Sequence, residues 1–321
     1  MKPLVSVVIP AYNGQRFIAA ALESVREQGD EAIELVIVND GSTDRTPEIV
    51  REFAKVLPIR VMNPGRMGNW VAATNLGLRE AGGEWACFLH QDDLWLPNRM
   101  ARLRRAIETA EGALILHNAM FVDQNGRRLG PWTCPLPEGV VPPQLFLERL
   151  LIQNFIAIPS PIFRRKVVIE SGGLDESLWF SADWDLWLRL GAVGPVCFIP
   201  ETLSAFRVHP SSQTSAHKLL PEEWSQQLTT VLARHLPNWK RFGKNIASVE
   251  RAAKTSITVN AALAAASRGE PFKPWPPFLD FIGLGPSGWH RYLRDSRIVQ
   301  RLGSRLRARW KAKFVNTPTD G

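Results

Sequence analysis

Before residue 90 the chain alternates four short apolar runs, at residues 5–9, 35–38, 59–62 and 85–89, with three stretches whose apolar residues recur at helical spacing. Strands and helices of these lengths join as right-handed βαβ units, which commits this part of the chain to a Rossmann-like α/β fold with a mostly parallel central sheet flanked by helices. All four strand exits then lie along one edge. Open α/β sheets bind ligands beyond the carboxyl ends of their strands, so function is to be sought in the residues that follow each run.

Those exits are chemically biased. The first run opens into Pro10-Ala11-Tyr12-Asn13-Gly14, the second into Asn39-Asp40-Gly41-Ser42-Thr43-Asp44, and the third into Asn63-Pro64-Gly65-Arg66-Met67-Gly68-Asn69-Trp70. Asp40 is placed to accept from a base or sugar, and Gly65 and Gly68 let backbone amides approach a phosphate. The plain alternative is that Asn13 and Asp40 only shape turns. Thr46 is a candidate cap for the next helix, with Pro47 at its first position. The fourth run ends in His90-Gln91-Asp92-Asp93. Adjacent carboxylates at a strand tip repel unless a cation or hydrogen-bond donors compensate. A bound divalent metal is one reading, and an exposed turn in which Asp93 caps a helix with Pro97 in its first turn is the other. No GxGxxG opens the first helix and no GxxxxGK[ST] loop occurs, which disfavours dinucleotide and P-loop chemistry.

Farther on, a helix is expected from residue 98 to about 109, then an apolar run at 113–122 that Asp123-Gln124-Asn125-Gly126-Arg127 turns back antiparallel. The prolines of residues 130–143 suggest a loop over the site. A second acidic centre follows Gly172-Gly173-Leu174-Asp175-Glu176. Asp183 falls in the first turn of a helix whose Leu186, Trp187 and Leu190 have core-facing spacing, while Asp185 reads as a capping residue favoured by the helix dipole. Asp183 and Asp185, two residues apart, face different sides of that helix. After a strand from 194, Arg207-Val208-His209 sets two cationic or ionisable groups on one side of an extended segment, an arrangement suited to an anionic ligand.

Charge is concentrated at the carboxyl end. Residues 287–321 carry nine Lys or Arg against Asp295 and Asp320, which is +7 of the chain's net +8. The remaining body is near neutral, which speaks against a nucleic-acid surface spread over the fold. In the tail, Val299, Leu302, Leu306 and Trp310 fall on one helical stripe among arginines, a pattern that suits an anionic membrane interface or, alternatively, a helix packed on the rest of the protein. Helices are expected at 219–235 and 245–266, with a proline-tryptophan linker at 271–277. The division read here is residues 1–215 as the catalytic domain and 216–321 as a helical extension. Cys87, Cys134 and Cys197 lack metal or CxxC spacing, which argues for free thiols in a reducing compartment. The amino terminus lacks a signal peptide's apolar core and no uncharged apolar run reaches about 18 residues, so the expected location is cytoplasmic, peripheral on the inner face of the cell membrane.

Taken in order, the motifs at Pro10–Gly14, Val38–Asp44, Asp92-Asp93, Gly172–Glu176, Asp183–Trp187 and Arg207–His209 resemble the signature of the family-2 inverting glycosyltransferases with the GT-A fold. The resemblance covers roughly residues 3–215. It implies that Pro10, Ala11, Tyr12, Asn13 and Asp40 hold the nucleotide base of a nucleotide-diphosphate sugar donor, with Arg66 beside it and Gly68 near the phosphates. His90, Gln91 and Asp92 stand at the family's Asp-x-Asp motif. Asp92 would bind Mg²⁺ or Mn²⁺ with His209 as a second ligand, and Arg207 would face the diphosphate. Asp183 would be the general base that activates a hydroxyl of a glycan or lipid-linked acceptor. Two positions depart from the pattern: His90 replaces the first Asp of Asp-x-Asp, and Ala182 replaces the acidic residue that commonly precedes the base. A catalytically inactive sugar-nucleotide-binding module is the competing expectation.

Overall fold

The computed structural model describes residues 3–210, 212, 220–239, 246–267, 274–303 and 307. The amino-terminal half follows the alternation read above: β1 (Val5–Ala11), α1 (Ile18–Arg26), β2 (Ile33–Asn39), α2 (Thr46–Phe53), β3 (Ile59–Met62), α3 (Trp70–Glu80) and β4 (Trp85–Phe88). β3, β2, β1 and β4 lie side by side and parallel, so their exits share one edge. Thr46 does not cap α2 with its hydroxyl, which instead accepts the Gly14 N–H at 2.8 Å, while Asp44 Oδ1 accepts the Thr46 N–H at 2.9 Å.

Beyond β4 the sheet becomes mixed. β5 (Leu94–Trp95), α4 (Arg99–Thr109), β6 (Leu114–Val122), β7 (Arg128–Trp132), β8 (Gly139–Val141), α5 (Pro143–Leu150), β9 (Ile162–Arg164), α6 (Arg165–Glu170), α7 (Ala182–Val193) and β10 (Val196–Arg207) follow. β9 runs antiparallel between β4 and β6, and β10 lies parallel to β6. Asp123–Arg127 turns β6 back into antiparallel β7. Two expectations change here. Pro97 does not enter a helical first turn, because Leu94 and Trp95 first pair with β10 and α4 begins only after Asn98. Residues 130–143 are not one loop: they hold the end of β7, all of β8 and a buried Cys134.

Alternate residues of the central strands feed two cores. Val5, Val7, Ile9, Trp85, Cys87 and Ile115 point to the face covered by α1 and α4, whereas Val8, Ala86, Phe88, Leu114 and Leu116 point to the other. The second face is covered by α3, α5 and α7, and also by the carboxyl-terminal helices α8 (Pro221–Trp239), α9 (Ile246–Ser267), α10 (Trp275–Gly283) and α11 (Gly285–Ser296). Leu228, Val231, Trp239, Val249, Tyr292 and Ile298 belong to the same core as Phe146, Trp184 and Trp187. Of the tail's apolar stripe, Leu302 packs on this core and Val299 is exposed, while Leu306 and Trp310 lie outside the described residues.

Candidate active site

At the exit of β1 the chain is clamped rather than loose. The Gln91 side chain accepts the Tyr12 N–H at 2.9 Å and donates to the Tyr12 carbonyl at 3.0 Å, tying the β1 exit to the β4 exit. A Cβ at Gly14 would lie 2.2 Å from Gln91 Oε1, so this clamp requires glycine there. Asn13, with φ at 46°, donates its N–H to Ser42 Oγ and accepts the Thr43 N–H, joining the β1 and β2 exits. Pro10 and Ala11 are buried in β1 itself, and the Ala11 carbonyl accepts the Asp40 N–H, so their share in the site is backbone and wall.

Asp40 is nearly buried, and its carboxylate accepts from the Arg66 guanidinium and from the N–H groups of Met67 and Gly68. Arg66 Cζ in turn sits over the Tyr12 ring, 3.7 Å from its centre. Tyr12, Asp40 and Arg66 thus form one stack at the mouth of the parallel strands. The ring accepts a planar, delocalised group on its face, which is the geometry a nucleobase would need.

Beside this stack lies the acidic strand end. His90, Asp92 and Asp93 present ligand atoms within 4.8 Å of one another. Asp92 Oδ2 is 2.9 Å from His209 Nε2. Burial alone would raise the Asp92 carboxyl, but the His209 hydrogen bond holds it below the ordinary range. Asp93 goes the other way, raised well above it by burial and by the Asp92 charge. It does not cap a helix: Oδ1 accepts the Arg207 N–H at 3.0 Å, while Oδ2 is buried and unpartnered. His90 Nε2 is likewise buried without a partner, and burial lowers the imidazole's pKa, favouring the neutral form that ligates metals. Two orphaned ligand atoms beside an ionised carboxylate fit a divalent cation, and a mixed nitrogen and oxygen set suits Mn²⁺ better than Mg²⁺.

Arg207 sits differently from its sequence reading. It is 4% exposed, its Nε donates to the Asp92 carbonyl at 2.7 Å, and its Nη1 donates to the carbonyls of Asp123 and Gln124. These bonds make it a strut that fixes the Asp92 backbone against the β6–β7 turn. Phe17 packs on it and on His209, with ring centres 4.4 Å apart in the latter pair.

The remaining wall comes from α7. Trp70 bridges the two acidic centres: its ring meets His90 edge-on at 5.0 Å, and its Nε1 donates to the Trp179 carbonyl just ahead of α7. At the start of α7, Asp183 accepts the Asn154 amide on Oδ2 at 3.0 Å and the Trp184 N–H on Oδ1 at 2.7 Å. Burial raises its carboxyl to about 6 against those two donors. A carboxylate tuned toward neutrality serves proton transfer at physiological pH. Asn154 carried no signal in the sequence, since it lies in an extended stretch without a recognisable pattern.

Asp185 is a fully buried hub rather than a cap. It accepts from Arg189 at 2.9 Å, Arg234 at 2.8 Å and His235 at 2.9 Å, fastening α7 to α8. Burial would raise its carboxyl, but the His235 hydrogen bond and the Arg189 and Arg234 guanidiniums hold it at about 2. The hub's contribution to stability is therefore present above the ordinary 3.8 and is lost as pH falls through about 2. Asp185→Asn is expected to cost about 2 kcal/mol at neutral pH, read as a lowered urea midpoint, with less effect on transfer than the same change at Asp183. A midpoint unchanged from wild type would refute the hub.

A parallel half-sheet that gathers a planar-group stack, an acidic strand end and a helix-borne carboxylate at one edge is the architecture of the GT-A glycosyltransferases. The model of glycosyl transferase family 2 matches residues 6–171, more than half of the chain, and the chain belongs to that family. An uncharacterized glycosyltransferase of Rickettsia typhi is 30% identical over 222 residues, which is 66% of this chain and 66% of that protein, so the match spans just under two thirds of the relative's length. Among solved structures, S. aureus TarS 1–349 in complex with UDP-GlcNAc covers 96% of this chain and 90% of its own at a TM-score of 0.64 and 20% identity. A mannosyltransferase of Pyrobaculum calidifontis in complex with GDP-Man and Mn²⁺ covers 97% and 88%, with a TM-score of 0.52 and 18% identity. At such identities the two structures speak for the fold.

Proposed function

We propose that the protein is a metal-dependent inverting glycosyltransferase that moves a hexose-type sugar from a nucleoside-diphosphate donor to a hydroxyl of a glycan or lipid-linked acceptor, in the synthesis of a cell-surface polysaccharide or glycolipid. The observation that carries this reading is that Trp70 touches both His90 of the His90-Asp92-Asp93 cluster and the Trp179 carbonyl, four residues ahead of the raised carboxyl of Asp183. The family membership and the nucleotide-sugar ligands of the structural neighbours support it.

The base stacks on Tyr12 in place of Arg66 and is held at its edge by Asp40. His90, Asp92 and Asp93 would hold a divalent cation, for which the mixed donor set suits Mn²⁺, and the cation would neutralise charge on the diphosphate leaving group. His209 keeps Asp92 oriented and ionised. Asp183 Oδ accepts the proton of the acceptor hydroxyl while that oxygen attacks the anomeric carbon from the face opposite the diphosphate, so one displacement inverts the centre. Asn154 holds the Asp183 carboxylate in the orientation this transfer needs.

His90 bears on donor choice, because it brings a neutral, bulky ring where the family pattern has a carboxylate. Mass-spectrometric measurement of turnover across a panel of UDP-, GDP- and dTDP-sugars is expected to find one preferred donor class, and His90→Asp to change the ratio of kcat/KM between nucleotides by about tenfold. Indifference to His90→Asp across the panel would remove His90 from the donor site. His90 and Ala182 together favour the alternative of an inactive binding module, which donor binding without turnover of any panel member would establish.

A further inference from the structure

The carboxyl-terminal helix α10 is apolar on two sides, and folding uses only one of them. Phe281 and Leu284 face inward, where Phe281 stacks on Trp289 at 5.9 Å and Leu284 joins the main core. On the other side Trp275, Phe278, Leu279 and Ile282 recur at i, i+3, i+4 and i+7, and are 68%, 50%, 63% and 48% exposed. The helix has a single charged residue, Asp280. A contiguous apolar stripe of this kind on a surface marks an interaction site.

The occupant is indicated by charge. Lys273 stands two residues before the helix in sequence, and residues 304–321 carry Arg305, Arg307, Arg309, Lys311 and Lys313 against Asp320 alone. In sequence that segment follows helices that pack together: α10 and α11 pack on α9, and Arg301, just before the segment, donates to Asn260 of α9. Helix α10 spans nine residues, and among the described residues no helix is long and apolar enough to cross a membrane. A short helix with an aromatic residue at its end, an apolar outer stripe and a strongly basic neighbour has the chemistry of an element lying in the plane of an anionic bilayer.

We infer that α10 docks in the interface of an anionic membrane through Trp275, Phe278, Leu279 and Ile282, with the basic tail engaging the headgroups. This differs from the stripe expected in the tail, part of which is used to pack the protein. It deepens the proposed function by placing the site where a lipid-linked acceptor would be, but the test needs neither donor nor acceptor, so transferase activity and membrane docking can fail independently.

Flotation of the full chain with vesicles of phosphatidylglycerol and phosphatidylcholine, against phosphatidylcholine alone, is expected to show binding to the anionic vesicles only. Trp275→Glu combined with Leu279→Glu is expected to lower that binding by about tenfold or more, with an unchanged thermal midpoint and unchanged donor turnover in vesicle-free solution. Arg305→Glu, Arg307→Glu and Arg309→Glu together are expected to weaken it comparably and to remove its salt sensitivity. Equal flotation of wild type and the α10 variant would overturn the inference. So would a wild-type dimer that the α10 variant dissociates without any vesicle binding, since the stripe would then belong to a second copy of this chain.

Discussion

Asp183→Asn is expected to lower sugar transfer by about 10²-fold or more while changing donor affinity little, because a general base acts mainly in the transition state. The substitution keeps the shape of the side chain and an oxygen for the Trp184 N–H, and replaces the other oxygen, which accepts the Asn154 amide and would take the proton, with an NH₂ group. The pH profile gives an independent reading. Burial holds the Asp183 carboxyl at about 6, above its ordinary value, and the ionised form is the one that works. The wild-type rate should therefore rise as pH increases through about 6 and level off above it, and the residual rate of the variant should lack that limb. Equal losses from Asp183→Asn and Asp185→Asn, or a loss traced wholly to weaker donor binding, would take the base assignment away from Asp183.

The second large effect concerns Asp92. In titration calorimetry, Mn²⁺ is expected to tighten nucleoside-diphosphate binding to wild type, and Asp92→Ala to abolish that increment. Asp92→Asn separates charge from structure: its amide oxygen still accepts from His209, so the local hydrogen bond survives while the negative charge is lost. Asp92→Asn should unfold near the wild-type midpoint, since it keeps the hydrogen bond with His209. A Mn²⁺ increment that persists in Asp92→Asn would move the cation to other ligands.

Much of this site could be read from the chain because its parts lie where short-range pattern is strongest. β1, β2 and β4 are buried on both faces, so their apolar runs are unbroken and the polar residues that end them stand out. The separation of Asp183 from Asp185 was equally visible, as helical geometry alone sends neighbours two apart to different faces. What the pattern concealed depends on long-range partners. Asp185 looks like a cap until Arg234 and His235 of α8 are seen to converge on it. The three-residue β9 and the two-residue β5 exist only because β4, β6 and β10 are there to pair with them. Pro131 hid β7 by suggesting a loop, yet among the described residues β7 pairs only with β6, and a strand paired on one side tolerates a residue that cannot donate.

The core shared by Trp184 and Trp187 with Val231, Trp239, Val249 and Tyr292 bears on how such a chain can be re-engineered or can diverge. A chimera joined near residue 215 would strip large apolar side chains of their cover and leave Asp185 without Arg234 and His235, at the foot of the helix that begins with the proposed base. Grafting a foreign carboxyl-terminal region onto this transferase scaffold should thus yield insoluble protein, unless the facing residues of α7 are redesigned with it. New acceptor preferences are reached more readily through side-chain exchanges within the existing helices than by swapping cassettes.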